Sequence, residues 1–252
     1  MKAVSILGLK VTSGEISELN DAIARLVQRG KPSFVLSANV HGFNLASHLP
    51  WLADFYTQAD LVHIDGDGII LAGKLLGAEI GPKITWADWA WSLARDFAER
   101  RSRLFLLGGP PGLAHAAADA LMLHAPNLII EGVQHGYFKK EGLENEAVLE
   151  IINQAKPDIL WVGMGMPLQE KWVLDNYQRL DVKVYMICGA AFTYMAGCVS
   201  RCPDWILKVH SEWVWRLLQD PRGKAVRYLY GNPAFLLRVL REKWKRLGGQ
   251  PK

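Results

Sequence analysis

Apolar runs the length of a β-strand alternate along this chain with longer stretches whose apolar positions recur every three or four residues. The runs are FVLSAN (34–39), DLVHID (60–65), RLFLLGG (103–109), NLIIEG (127–132), DILWVG (158–163) and VKVYMICG (182–189). Between them, TWADWAWSLARDFAERR (85–101) and GLAHAAADALMLHA (112–125) carry the helical period. Strands rich in Val, Ile and Leu and separated by helices indicate βαβ units, because a parallel sheet is covered on both faces and its strands are dry on both sides. The pattern predicts an α/β fold with a parallel-sheet core, helices on both faces, and a hairpin or edge strand in the opening residues.

In such sheets ligands gather beyond the carboxyl ends of the strands. The unusual residues of this chain sit at those ends: Asn39, Asp65-Gly66, GGPPG (108–112), GMGMP (163–167) and GAAF (189–192). Several polar or glycine-rich ends facing one crevice argue for a site better than any one of them.

After about residue 200 the strand-length runs stop. The remainder has helical spacing and holds four of the ten tryptophans. Leu237, Leu240, Trp244 and Leu247 fall on one stripe, and Arg238, Arg241 and Lys245 cover the other surface, which describes a basic amphipathic helix. Such a helix either docks its apolar stripe on the body or lies on a membrane surface. Trp and Tyr beside Arg and Lys favour the membrane. The division expected is an α/β body over residues 1–200 and a basic helical appendage over 201–252.

Charge sharpens that division. Of the formal +4, residues 203–252 carry 11 Lys+Arg against 4 Asp+Glu, while residues 1–202 carry 18 against 21. A basic tail on a mildly acidic body suits an anionic partner. The N-terminus lacks the pattern of a signal peptide, and no window approaches the ~20 apolar residues of a membrane span. A cytoplasmic protein that does not span the membrane is expected. Cys188, Cys198 and Cys202 form no disulfide framework, and with His210 as the sole further candidate they make a poor zinc site.

Among the motifs, the glycines of GGPPG (Gly108, Gly109) and of GMGMP (Gly163, Gly165) can bring backbone N–H groups to an anion at a helix start. Each is equally an ordinary turn or helix start. Both lack the Lys-Ser/Thr of a P-loop and the spacing of a dinucleotide fingerprint, which argues against ATPase and nicotinamide chemistry. Within GMGMPLQEKW, Gln169 can bond a sugar or base, and Lys171 can meet phosphate. Asp65-Gly66-Asp67 admits two uses: a metal-binding pair against a diphosphate, or a single carboxylate acting as a base. His41, His63 and His135 lie near strand ends without metal-ligand spacing.

The order of these blocks carries a resemblance. A strand ending in Asn39 is followed by one leading into Asp65-Gly66, then LLGGPPG, HGYF (135–138), ILWVGMGMPLQEKW, CGAAFTYMAG (188–197), RCPDW (201–205) and SEWVWRLLQDPRGKAVRY (211–228). From about residue 35 to about residue 230 this resembles the WecG/TagA/CpsF family of bacterial glycosyltransferases.

The resemblance implies a Rossmann-like core with a membrane-touching helical appendage. It implies inverting transfer from a UDP-sugar to a polyprenyl-diphosphate-linked sugar, with no metal and no cofactor, in cell-surface polysaccharide synthesis. Asp65 matches the family's base, Asn39 a residue of the same pocket, and Gln169 the glutamine of the QEKW block. Without a metal, helix N-termini and arginines must stabilise the departing diphosphate. Gly108, Gly109, Gly163, Gly165 and Gly189 border the expected substrate crevice, and Arg201, Arg216, Arg222 and Arg227 are the candidate cations. Asp67 departs from the family pattern and is expected to cap the following helix or to raise the pKa of Asp65. His63 is unusual there too. Nucleic acid is not an expected partner, although a nucleotide- or nucleic-acid-binding module with a basic tail is the competing class. A homo-oligomer is compatible with the sequence.

Overall fold

The computed structural model describes residues 1–208 and 211–248. Its eight strands are β1 (Lys2–Ile6), β2 (Leu9–Ser13), β3 (Ser33–Ala38), β4 (Leu61–Ile64), β5 (Arg103–Gly108), β6 (Ile129–Gln134), β7 (Ile159–Gly163) and β8 (Val184–Ile187). They form one sheet in the order β1-β2-β4-β3-β8-β7-β5-β6. The predicted hairpin is β1–β2, paired antiparallel, and all other pairs are parallel. Central β7 and β8 are buried at every position, as their unbroken apolar sequences require, whereas edge strand β6 is buried at none.

Two cores lie on the two faces of the sheet. One is capped by the helices Val40–Ala46, Pro50–Gln58, Asp67–Leu75, Gly142–Ala155 and Leu168–Asn176; the other by Ile16–Arg29, Trp86–Glu99, Leu113–His124 and Ala191–Met195. The helix that follows β5 therefore lies on the opposite face from the helix that follows β7, and the same holds for β8 and β3. Where the exit direction reverses, the carboxyl edge of the sheet is left open as a crevice.

Close approach shapes that edge. A Cβ on Gly108, whose φ is +154°, would lie 2.2 Å from the Gly163 carbonyl oxygen. Without side chains there, Gly109 N–H donates to Gly163 O at 2.9 Å, and Gly136 N–H to Gly109 O at 2.8 Å. The loops after β5, β6 and β7 are thereby laced together.

His63, unexplained by sequence, is a core residue. It is fully buried in β4, edge-on to Trp86 at 4.7 Å and Trp89 at 4.8 Å, and its Nδ1 lies 2.9 Å from the Ile84 carbonyl oxygen. Burial pushes its pKa down to about 3, so it is a neutral ring that donates Nδ1–H to that carbonyl.

From Asp204 onward every described element is helical: Asp204–Lys208, Glu212–Gln219, Pro221–Ala225, a π-helical turn Val226–Tyr230, and Gly231–Arg246. The last helix docks through Phe235 and Val239, both buried. The stripe Leu237, Leu240, Trp244 and Leu247 faces solvent, at 55, 45, 61 and 75% exposure. Arg238 does not belong to the solvent-facing basic surface expected from sequence. It turns to the body and donates to Phe43 O (3.2 Å), Asn44 Oδ1 (3.1 Å) and Ser47 Oγ (3.0 Å), because the last carbonyls of the helix Val40–Ala46 need donors. No described helix is long and apolar enough to cross a membrane.

Candidate active site

Two cavities open at the carboxyl edge of the sheet. The first, about 770 Å³, lies over the ends of β5, β7 and β8 and is bordered by Gly109, Gly163, Gly165 and Gly189 together with Tyr137 and Phe138. Gly165 and Gly189 take positive φ values, +83° and +59°. Their N–H groups donate to Gln169 Oε1 at 3.2 and 3.1 Å. Gln169 Nε2 in turn donates to Glu170 Oε1 at 2.9 Å. Gln169 is thus a buried staple between two loops, with its amide engaged inside the protein. Glu170 is equally buried, and loss of water pushes its carboxyl up to about 7. Gly108 lies beneath this cavity and shapes it without lining it. Lys171 pairs with Asp175 along its own helix and is not among the residues that line the cavity.

The second cavity, about 640 Å³, lies between the ends of β3 and β4 and the C-terminal helices. It is lined by polar side chains, among them Asn39, His41, Asp65, Glu212, Arg216 and Arg227, and by apolar ones, among them Ile70, Leu71, Leu229, Phe235 and Leu236. Asn39 caps the helix Val40–Ala46, its Oδ1 accepting from Gly42 N–H at 2.9 Å. Asn39 Nδ2 lies 3.9 Å from Met166 Sδ, so the loop that borders the first cavity also touches the second.

Asp65 follows β4, and its N–H donates to Ala38 O at 2.9 Å, which fixes the backbone at the cavity floor. Gly66, at φ +143°, then turns the chain into the helix Asp67–Leu75. Withdrawal from water drives the Asp65 carboxyl up from 3.8 to about 6. Arg216, Arg227 and Lys83 oppose that rise, and Glu212 adds to it. The carboxyl is therefore ionised at neutral pH yet basic enough to accept a proton. His41 beside it is pushed down to about 4 by burial and by Arg227, and stays neutral.

Asp67 occupies the first turn of its helix and pairs with Lys83 at 2.9 Å. Burial, and then Glu212, raise the pKa of Asp65. The two carboxylates of Asp-Gly-Asp line the same cavity, and Lys83, bonded to Asp67, also acts on the charge of Asp65. Lys83 also reaches Glu212 at 3.3 Å, and Glu212 accepts from Arg216 (2.6 Å) and Arg201 (2.9 Å).

Of the arginines named from sequence, Arg216 and Arg227 line the cavity with Asp65. Arg201 stands behind it, joined to Glu212 and Asp88, and Arg222 is exposed outside it. Sequence reasoning passed over Glu212, Lys83 and Glu170. The spacing of Glu212 and Arg216, one helical turn apart, signalled at least that pair.

Cys188 and Cys202 are buried and Cys198 is exposed; His210 lies outside the described residues. Among the described residues, no group of three or more His, Cys, Asp and Glu is arranged to hold a metal.

Two relatives from Staphylococcus aureus, strains MRSA252 and MW2, are each an N-acetylglucosaminyldiphosphoundecaprenol N-acetyl-β-D-mannosaminyltransferase. Each is 29% identical to this chain over 212 residues, 84% of this chain and 81% of its own length. The model of the glycosyl transferase WecG/TagA/CpsF family matches residues 4–249. A carboxylate at a strand end, cations beside it and glycine loops next to it suit glycosyl transfer, and with that match the chain belongs to the WecG/TagA/CpsF family of glycosyl transferases.

Proposed function

We propose that the protein transfers a sugar, with inversion and without a metal, from a UDP-sugar to a polyprenyl-diphosphate-linked sugar in cell-surface polysaccharide synthesis. The observation that carries this is Asp65: a carboxyl of pKa about 6 in a cavity lined by the arginines Arg216 and Arg227 and by many apolar side chains. The acceptor hydroxyl oxygen attacks C1 of the donor sugar, the C1–O bond to the diphosphate breaks, and UDP leaves with the electron pair. Asp65 takes the hydroxyl proton as that bond forms. Arg216 and Arg227 supply positive charge where diphosphate charge develops. Asn39 helps shape the sugar pocket, and Gln169 holds the glycine loops that approach the nucleotide.

The names of the relatives support the acceptor class and suggest N-acetylmannosamine as the first sugar to test. Apolar walls beside the arginines suit the first isoprene units next to a diphosphate. The exposed stripe Leu237–Leu240–Trp244–Leu247 on the appendage suits peripheral attachment to the inner face of the cytoplasmic membrane.

The test is a panel of UDP-sugars, including N-acetylmannosamine, its uronic acid and glucose, offered with a short-chain prenyl-diphosphate-linked sugar and read by product mass. One donor should give a product one sugar heavier, with turnover unchanged by EDTA. Loss of turnover in EDTA would restore the metal reading of Asp-Gly-Asp. No product from any donor, with salt-sensitive binding of nucleic acid, would favour the binding-module class.

A further inference from the structure

Glu212 opens the first long helix of the appendage, and its carboxylate is 10% exposed. It accepts from Arg216 Nε at 3.0 Å and Nη2 at 2.6 Å, from Arg201 Nη1 at 2.9 Å, and from Lys83 Nζ at 3.3 Å. Lys83 and Arg201 each hold a second carboxylate, Asp67 at 2.9 Å and Asp88 at 2.5 Å. Burial works to raise the Glu212 carboxyl; Arg216, Arg201 and Lys83 outweigh it and hold the group below its usual range. A withdrawn carboxylate that gathers cations from three parts of the chain gives little net stability for its desolvation. A task beyond stability accounts for it better.

The task is visible in what Arg216 does not do. Arg216 lines the same cavity as Asp65 and acts on its charge, yet among the described residues it makes no hydrogen bond or ion pair to Asp65. Its Nε and one Nη are committed to Glu212. The other guanidinium face stacks toward the Tyr194 ring, 5.3 Å from its centroid. A guanidinium free to turn would close on the nearest carboxylate, because a direct bidentate pair is the strongest arrangement open to it. That would ion-pair the base.

We propose that Glu212 is a positioning residue that holds the Arg216 guanidinium off Asp65, leaving the Asp65 carboxylate free to take a proton and Arg216 free to meet substrate anion. The inference rests on Asp65 being the base.

Several other groups bear on Asp65. Arg227 and Lys83 act with Arg216 from the appendage and the loop before Thr85. Tyr56 faces it from the helix Pro50–Gln58 and Cys188 from the end of β8, both neutral, and Asp67 and His41 share the cavity. None of these holds Arg216 in place as Glu212 does.

The experiment follows turnover against pH in the full chain for wild type, Glu212→Gln, Glu212→Ala, and Glu212→Ala combined with Arg216→Ala, with a thermal melt to select folded variants. In Glu212→Ala the freed guanidinium pairs with Asp65, so the acidic limb of kcat should move down by about one pH unit or more, the shift expected of a carboxylate beside arginine. Glu212→Gln keeps an acceptor for Arg216 and should move the limb less. In the double variant no guanidinium remains to close on the base, and the limb should return to the wild-type position or above. Loss of the Glu212 charge alone lowers the Asp65 carboxyl equally in the Gln and Ala variants, so a limb that moves equally in the two, or that stays fixed in all variants, overturns the proposal. Asp65→Asn separates the two levels. If it retains the acidic limb, the base assignment itself fails. If it abolishes turnover while the Glu212 variants leave the limb unmoved, only the role of Glu212 fails.

Discussion

Replacing Asp65 by Asn separates chemistry from stability, because the amide imitates the protonated carboxyl in shape and lacks its charge. In the folded protein the carboxyl titrates near 6 instead of 3.8, mainly because burial penalises the charged form. Between those two values the folded state holds a proton that the unfolded state has released, so stability falls as pH rises through that window. At about 1.4 kcal/mol per pH unit, the rise means that the ionised carboxylate costs the fold about 3 kcal/mol at pH 7.5. The Asn variant escapes that cost. It should unfold at higher urea concentration than wild type at pH 7.5 and, by the usual scaling for a chain of this size, melt roughly 5–10 °C higher. At pH 4.5 the advantage should shrink to about 1 kcal/mol, since the wild-type group is then protonated in the fold and only partly ionised when unfolded. Turnover should fall by about 10²–10⁴-fold, the usual range for loss of a general base. The assay pairs urea melts at the two pH values with product mass from the lipid-linked acceptor. A variant that is less stable than wild type at pH 7.5, or whose advantage does not change with pH, would refute the claim that the fold holds this carboxylate against its own preference. Undiminished turnover would remove it from the chemistry.

Gly108→Ala should lose at least about 3 kcal/mol of stability or fail to fold, because its Cβ meets backbone 2.2 Å away at a φ of +154°. A urea midpoint within error of wild type would show that the β5 and β7 backbones can part. His63 is neutral and buried with a pKa near 3, so its share of stability is fully present above about 6.5 and is lost as pH falls toward 3. His63→Phe should therefore unfold less steeply with acid than wild type, by circular dichroism from pH 7 to 4, and an unchanged acid midpoint would contradict this. Replacing Leu237 and Trp244 by Ser should leave the melting temperature within about 2 °C, as both are exposed, while reducing sedimentation with phosphatidylglycerol vesicles several-fold. Undiminished sedimentation would assign membrane contact to another surface.

The strands were legible because a covered parallel sheet demands uninterrupted apolar runs, and the six runs read from sequence coincide with β3 to β8. Their carboxyl ends could be read as site-forming for the same reason. What could not be read was how the edge divides. Gly165 and Gly189 surround one cavity, Asn39 and Asp65 another, and the separation depends on which face each exit helix takes. Side-chain commitments were equally hidden. Gln169 looks like a sugar ligand in a linear motif, but the spacing says nothing of the two loop amides that its oxygen accepts. Arg238 follows the helical period of a basic surface, yet three acceptors at the end of another helix capture it. Glu212 shows only its helical neighbour Arg216 in the spacing; its link to Lys83, 129 residues earlier, is invisible in the sequence.

Arg238 has a mechanical meaning. It grips the carboxyl end of the helix Val40–Ala46, whose other end is capped by Asn39 on the rim of the Asp65 chamber. Seven residues of α-helix make a stiff rod about 10 Å long. A push or pull on the terminal helix therefore reaches the wall of the Asp65 cavity through this guanidinium and rod, and also through Phe235, which the same helix places in that wall. The surface that would settle on a lipid bilayer and the pocket that would do the chemistry are coupled as handle and jaw.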